Sequence, residues 1–440
     1  MDKGATSLGP SKVRSEISLK KLEILLGFIG VFMVIVLGKT LLKSQMLFFR
    51  LIIGTAFGYT LTRAYTGFAG SVNRAFNTGS TKLMRTLMFM FFITLLSTTA
   101  FLFTSEDITA YSLNIHPINL GLILGGILFG FGMSFSSCCA SGVLTDIVTG
   151  FPRAIITLIF FGMGVFLGFP IQKGASWATE SWISSTVGQS FKGGVFLPDL
   201  FKWDGFEGYL GALVLSGIFC GIVVYLSHRY EKRRKEKGTY TGHPMEKVQD
   251  ALEKKEYSYS KLISAETYEN IFVKPWTLKQ GAIVLCLLFT LLMGVTKSGW
   301  GVSTPLGLWF GKILMAFGVS AESLAAFTKQ TPEFFTVPFF EHGSSVQNFG
   351  IVVGTAIYLL TAGKFKETVT SELEITKKQA FFYALGGLTM GLGTRMANGC
   401  NAGALYTSIA HFSLSGWFFL IFMTIGGTIG NTCAKKWNVN

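Results

Sequence analysis

Apolar runs of membrane-spanning length recur along the chain, near residues 22–40, 46–64, 83–104, 117–136, 152–171, 207–227, 276–296, 343–362, 378–397 and 414–433. About twenty apolar residues cross a hydrocarbon core as an α-helix, so the pattern predicts an all-α polytopic membrane protein of about ten spans. Four further stretches, 65–80, 138–150, 298–318 and 398–412, are rich in Gly, Ser, Thr and Asn yet too short to cross. Short, glycine-interrupted segments at matching places in two halves predict re-entrant helices around a midplane site. One long polar segment, 228–275, opens with His228 and the basic run Arg229 to Lys235 and divides the chain. The predicted organisation is a cytoplasmic tail at 1–21, a first membrane half at 22–227, a charged cytoplasmic linker at 228–275, a second half at 276–434 and a tail at 435–440.

Charge patterning sets an orientation. Lys12, Arg14, Lys20 and Lys21 precede the first run; Arg63, Arg74, Lys82 and Arg85 follow the second; the 105–116 segment holds Glu106 and Asp107 and no Lys or Arg. Basic flanks mark the cytoplasmic side, which places both termini, including Lys435 and Lys436, in the cytoplasm. Lys39, Lys43 and Arg50, on the expected outer side, run against that alternation.

Composition supports the class. Half the residues are hydrophobic and 14% charged, against about 25% charged in soluble domains. Glycine is abundant, 52 of 440 residues, and small residues let helices approach closely in lipid. The net charge of +14 follows from basic loops between spans, so nucleic acid is not an expected partner; the lipid bilayer is. Six cysteines are too few for a disulfide scaffold.

The chemistry is carried by an internal repeat. Residues 125–144 and 386–405 align without gaps at an offset of 261, and Gly125, Gly126, Gly130, Gly132, Cys139, Gly142 and Leu144 match Gly386, Gly387, Gly391, Gly393, Cys400, Gly403 and Leu405. After a one-residue shift, Gly164 and Gly168 match Gly426 and Gly430. A fainter echo links Thr66-Gly67-Phe68-Ala69 with Ser298-Gly299-Trp300-Gly301. Five spans separate the copies, so they are expected to run in opposite directions, as an inverted-topology repeat with its site between the halves. Cys139 and Cys400 each precede an expected short helix, about 140–148 and 401–410, whose N-terminal N–H groups favour an anion. Cys138 matches Gly399 and falls outside the symmetric pair; Cys220, Cys286 and Cys433 read as packing residues. Arg395, five residues before Cys400, is suited either to attracting a dianion or to reaching the nearby interface. Asn401 lies beside Cys400 in the same frame.

No metal site is expected, since no His or further Cys stands at ligand spacing; His411 has no counterpart, Gly150 taking the matching place. No phosphate loop, nucleophile elbow or carboxylate pair is present, so neither a cofactor, nor ATP-driven transport by this chain, nor a catalytic constellation is implied.

The duplicated G-x-G-x(6)-C-x-x-G frames resemble those of the YeeE/YedE family of bacterial inner-membrane proteins associated with sulfur transport. The resemblance spans roughly 46–171 and 276–434. It implies import of thiosulfate or a related sulfur-containing anion through a central constriction, where cysteines handle the ion by weak S–H hydrogen bonds; the matching positions are Cys139 and Cys400, framed by Gly130, Gly132, Gly142, Gly391, Gly393, Gly399 and Gly403. Members often carry another cysteine in the early re-entrant segment; Tyr65 to Gly70 here has none. A small cytoplasmic sulfur carrier of the TusA type is the implied partner. Two alternatives remain open from sequence: a membrane sulfurtransferase or thiol-redox enzyme using Cys138, Cys139 and Cys400, and a transporter of the same architecture for a selenium species.

Overall fold

The computed structural model describes residues 10–253 and 264–439. Residues 1–9 of the expected tail, 254–263 of the expected linker and Asn440 lie outside the described residues. The long helices are α1 (Pro10–Leu41), α2 (Gln45–Ala64), α4 (Lys82–Phe103), α5 (Leu120–Ser136), α7 (Phe151–Gly174), α8 (Tyr209–Glu236), α10 (Leu278–Thr296), α12 (Gly343–Thr361), α13 (Lys377–Met396) and α14 (Leu414–Lys436). Between them lie the shorter α3 (Gly70–Thr78), α6 (Ala140–Thr149), α9 (Pro244–Glu253) and α11 (Thr304–Ala316). The protein is an all-α polytopic membrane protein. Eight of the described helical segments are long and apolar enough to cross a membrane. The two other expected spans, α2 and α13, have the length but are more polar, carrying Arg50 and Arg63, and Lys377, Lys378 and Arg395.

Four times the chain follows one local plan: a long helix, an abrupt stop, a short helical segment and a further long helix. The stops are Tyr65, Ser137, Lys297 and Asn398, all left-handed, with φ of 52, 57, 49 and 60°. Ser137 and Asn398 are themselves 261 residues apart. Glycine is the usual residue at such a stop, and a side chain there costs about 1–2 kcal/mol. After the stops come α3, α6, α11 and a π-helical turn at Asn401–Thr407 that continues as Ser408–Ala410.

The repeated glycines hold these units together by reciprocal contacts. A Cβ on Gly130 would lie 2.0 Å from the Met423 carbonyl oxygen, and one on Gly391 would lie 2.3 Å from that of Phe161. Gly164 faces the Leu388 carbonyl at 2.3 Å, and Gly426 faces that of Ile127 at 2.1 Å. Gly132 and Gly393 likewise meet the Gly386 and Gly125 carbonyls, at 2.4 and 2.6 Å. Each contact has a partner contact between the matching residues of the other copy, so α5 packs on α14 as α13 packs on α7. Gly54 and Gly58 on α2 face the Gln347 and Ile351 carbonyls, while Gly350 and Gly354 on α12 face those of Leu51 and Thr55. Both are small-xxx-small contacts of the kind that bring helix backbones together in lipid. Gly130, Gly132, Gly391 and Gly393, expected at the substrate path, therefore stand in helix interfaces instead, because the adjoining backbones leave no room for a side chain.

The charged 228–275 region is built into the body more firmly than a solvated linker requires. The α8 helix runs on through the basic residues to Glu236. On α9, Glu246 is buried and pairs with Arg74 at 3.1 Å, and the Gln249 amide donates to the carbonyls of Ala64 and Trp276. Arg63 donates to the carbonyls of Asn270 and Lys274. Arg50, which disturbed the charge alternation, is not a loop residue. It lies within α2 and donates to the Gln347 amide oxygen and the Ser298 hydroxyl.

Because Gly391 opposes the Phe161 carbonyl at 2.3 Å, Gly391→Ala is expected to destabilise the protein by about 1–3 kcal/mol. Gly221→Ala, at a position with nothing within 4 Å, should leave stability unchanged or slightly higher. Paired thermal melts in detergent check this; equal melting points for the two variants would contradict the packing account.

Candidate functional site

Cys139 and Cys400 occupy the same local structure. Each is the residue immediately before a short helical segment, α6 for Cys139 and Asn401–Thr407 for Cys400, in extended backbone at φ/ψ of −116/−172° and −98/−169°. Both are 1% exposed. The two short segments touch. The cause is local: the left-handed stops at Ser137 and Asn398 turn the chain, and the short segments begin three residues later, just after the cysteines. Both segments point free N–H groups toward their N-terminal ends.

The surroundings of the thiols are rich in soft sulfur. Met133 and Met390 are fully buried. The Asn401 amide nitrogen donates to the Met133 sulfur at 3.5 Å, and the Ser136 hydroxyl to the Met390 sulfur at 3.8 Å. Cys138 is buried beside Cys139, whose sulfur lies 3.4 Å from the Ser141 hydroxyl. Gly142 faces the Cys138 and Cys139 side chains. Gly399 is closed off by the backbone of Ala404, while Gly403 has nothing nearer than 3.9 Å, the Asn114 amide and the Trp300 carbonyl. The Asn401 side-chain oxygen has no hydrogen-bond partner among the described residues.

Two cavities flank this centre. The larger, about 590 Å³, is lined by Gly67, Cys138, Cys139, Ser141, Gly142 and Arg153 among others, with His243 and Met245 of the 228–275 region at its rim. The second, about 490 Å³, is lined by Gln172, Lys192, Thr304, Arg395 and Asn398 among others. Helix α7 spans the two, with Arg153 in the first and Gln172 in the second. At 1.5 Å per residue these positions are about 28 Å apart, close to the thickness of a bilayer core.

Arg395 does not reach out to an interface. It is 3% exposed and donates to the Ser303 hydroxyl at 2.8 Å, the Thr304 hydroxyl at 3.1 Å and the Gln172 amide oxygen at 3.3 Å. Its guanidinium also lies over the Phe169 ring. All these partners are neutral, and no carboxylate pairs with it among the described residues. Desolvated, uncompensated positive charge is costly unless an anion visits.

An aromatic cluster braces the centre from the other two breaks. Trp300 stacks on Phe57 with centroids 4.1 Å apart and lies 6.0 Å from Phe68, its counterpart in the fainter echo. Trp300 exchanges two hydrogen bonds with the Thr407 hydroxyl, at 3.0 and 3.1 Å. His411 accepts the Asn114 backbone N–H at Nδ1, so its role is to tie the 112–116 loop to the segment after Cys400. Sequence reasoning missed Arg153, Lys192 and Gln172, which belong to no repeat and acquire meaning only by lying in these cavities, and Ser303, which does so by accepting from Arg395.

A family model described as sulphur transport matches residues 63–429. The chain is 26% identical over 327 residues to the thiosulfate transporter TsuA of Spirochaeta thermophila, covering 71% of this chain and 78% of that protein. It is 28% identical over 159 residues to the probable transporter YedE of Escherichia coli and 30% identical over 163 residues to that of Salmonella typhimurium. Each of these two alignments covers 36% of this chain and 38% of the relative. The matched relatives are named as transporters, not enzymes.

Because Cys138 and Cys139 line the larger cavity and Cys400 lines neither, an impermeant maleimide should label the first two from one membrane face only. That face should be the one from which a cysteine replacing Lys364, also at that cavity, is labelled. Variants retaining one cysteine each provide the check; labelling of Cys139 from both faces, or from the opposite one, would contradict the placement.

Proposed function

Because the chain belongs to the YeeE/YedE family of sulphur-transport proteins, we propose that it imports thiosulfate, or a closely related sulfur-containing anion, through a central route past Cys400 and Cys139. The observation that carries this reading is the pair of buried thiols, each heading a short helical segment, between cavities at opposite ends of α7. In the proposed route the two halves run antiparallel across a bacterial inner membrane. Both termini lie in the cytoplasm, as the basic flanks require, and the cavity beside His243 faces inward.

The substrate follows from the chemistry. A dianion is drawn to the outer cavity by Arg395 and Lys192, neither of which pairs with a carboxylate among the described residues. At the constriction the available partners are weak S–H donors, polarizable thioethers and helix-end N–H groups. Such groups hold an anion loosely enough to let it leave, as conduction requires. Soft sulfur on both sides favours an oxyanion bearing a terminal sulfur over sulfate. Gly142 and Gly403 leave space beside the thiols. The thiols need form no covalent bond with the ion, and the route needs no cofactor.

Inward movement of an anion opposes an inside-negative potential by about 2.3 kcal/mol per charge per 100 mV. A consuming reaction inside supplies the direction, and a small sulfur carrier of the TusA type docking at the inner cavity is the partner that fits.

Cys139→Ala and Cys400→Ala are each expected to abolish uptake of radiolabelled thiosulfate into proteoliposomes, and thiosulfate-dependent growth of a strain lacking other routes. Cys139→Ser, which keeps a donor but loses the soft atom, should retain reduced uptake with less preference over sulfate. Full uptake by both alanine variants would reject the route.

A further inference from the structure

Three arginines line the two cavities; Arg74, at the inner one, is paired with Glu246 at 3.1 Å, and the other two differ in electrostatic state. Arg395, beside the outer cavity, has only neutral partners. Arg153, in the inner cavity, is held by the Asp146 carboxylate at 3.0 Å and faces that of Glu372 at 3.6 Å. Asp146 also lines the cavity and accepts from the Thr149 hydroxyl. It lies seven residues along α6 from Cys139, about 10 Å at the helical rise, so the pair stands one step inward of the thiols. The place is built for close approach: Gly150 would bring a Cβ to 3.1 Å from both the Arg153 guanidinium and the Glu372 carboxylate. The Arg153 Nε has no hydrogen-bond partner among the described residues, so the guanidinium keeps a donor in reserve.

Resting on the transport reading, we propose that Arg153 is the inner anion station and that Asp146, assisted by Glu372, is its built-in competitor. The Asp146 carboxylate stands where a substrate oxyanion would bind. An anion arriving from Cys139 must displace it to reach the guanidinium, and the returning carboxylate then expels the anion toward the cytoplasm. The two arginines thus divide the work: the uncompensated one captures, and the compensated one releases. Close charge pairs largely shielded from water have substantial couplings when one member is removed, and Asp146, 16% exposed, is the better shielded carboxylate, so the competition is stronger there. It is weak at Glu372, which is 58% exposed and screened by water.

The test measures thiosulfate uptake by the purified full-length protein in proteoliposomes, with calorimetric binding of thiosulfate to the same preparations in parallel. Asp146→Asn should tighten binding and lower KM by about five- to tenfold while lowering the maximal rate, because release is slowed. Glu372→Gln, at an exposed position whose change does not threaten folding, should shift both in the same direction by about twofold. Arg153→Gln should weaken binding, and Asp146→Asn added to Arg153→Gln should change nothing further, since Asp146 acts through Arg153. Unchanged or weakened binding in Asp146→Asn, or an independent effect of that substitution on the Arg153→Gln background, overturns the proposal. Should the unsubstituted protein take up no thiosulfate, the transport reading falls, and the same binding order still decides the competition between Asp146 and the anion.

Discussion

The structure depends on backbone-to-backbone contact at glycine. At Gly130, Gly164, Gly391 and Gly426 a carbonyl oxygen of the neighbouring helix occupies the space a Cβ would need. In lipid the hydrophobic effect gives helices little reason to associate, so close packing and its dispersion energy decide which helices pair. Each contact of one repeat copy with its neighbour recurs between the matching residues of the other. Such reciprocity makes the positions of Cys139 and Cys400 consequences of one another: displacing α5 on α14 moves one thiol, and the same displacement of α13 on α7 moves the other.

On this near-symmetric frame the charges are unsymmetric. Arg395 matches Ser134 in the other copy, and each contacts the matching glycine, Gly168 for Arg395 and Gly430 for Ser134. Asp146 matches Thr407, which is occupied in holding Trp300. In the proposed transport reading the duplicated part of the chain forms the passage, and the unduplicated charges make its two ends chemically different. On that proposed route the open arginine at one end and the carboxylate-held arginine at the other set how tightly each end holds the ion, while consumption inside sets the direction of net flux.

Much of this was legible in the sequence, and the physical reasons for the rest are specific. Spans, short helices and the paired cysteines were readable because hydropathy and the glycine frame are local patterns that survive in one dimension. The helix stops were not, since Tyr65, Ser137, Lys297 and Asn398 carry none of the usual glycine signal. Whether a glycine of the repeat lines a path or a helix interface is not legible, because spacing cannot tell one from the other; the difference lies in which backbone opposes it. Arg395 is buried by contacts 223, 91 and 92 residues away in sequence, and no window of sequence reports that. The docking of α9 rests on one buried carboxylate and one amide, Glu246 and Gln249, within a segment whose composition reads as solvated.

The most direct measurement is anomalous diffraction from crystals of the protein soaked with selenosulfate, in which the heavier atom marks where the soft end of the anion rests. The account predicts a selenium peak in the space between the Cys400 and Cys139 sulfurs, adjacent to Asn401. A peak confined to lipid-facing surface, with the space between the thiols empty at saturating ligand, would contradict it.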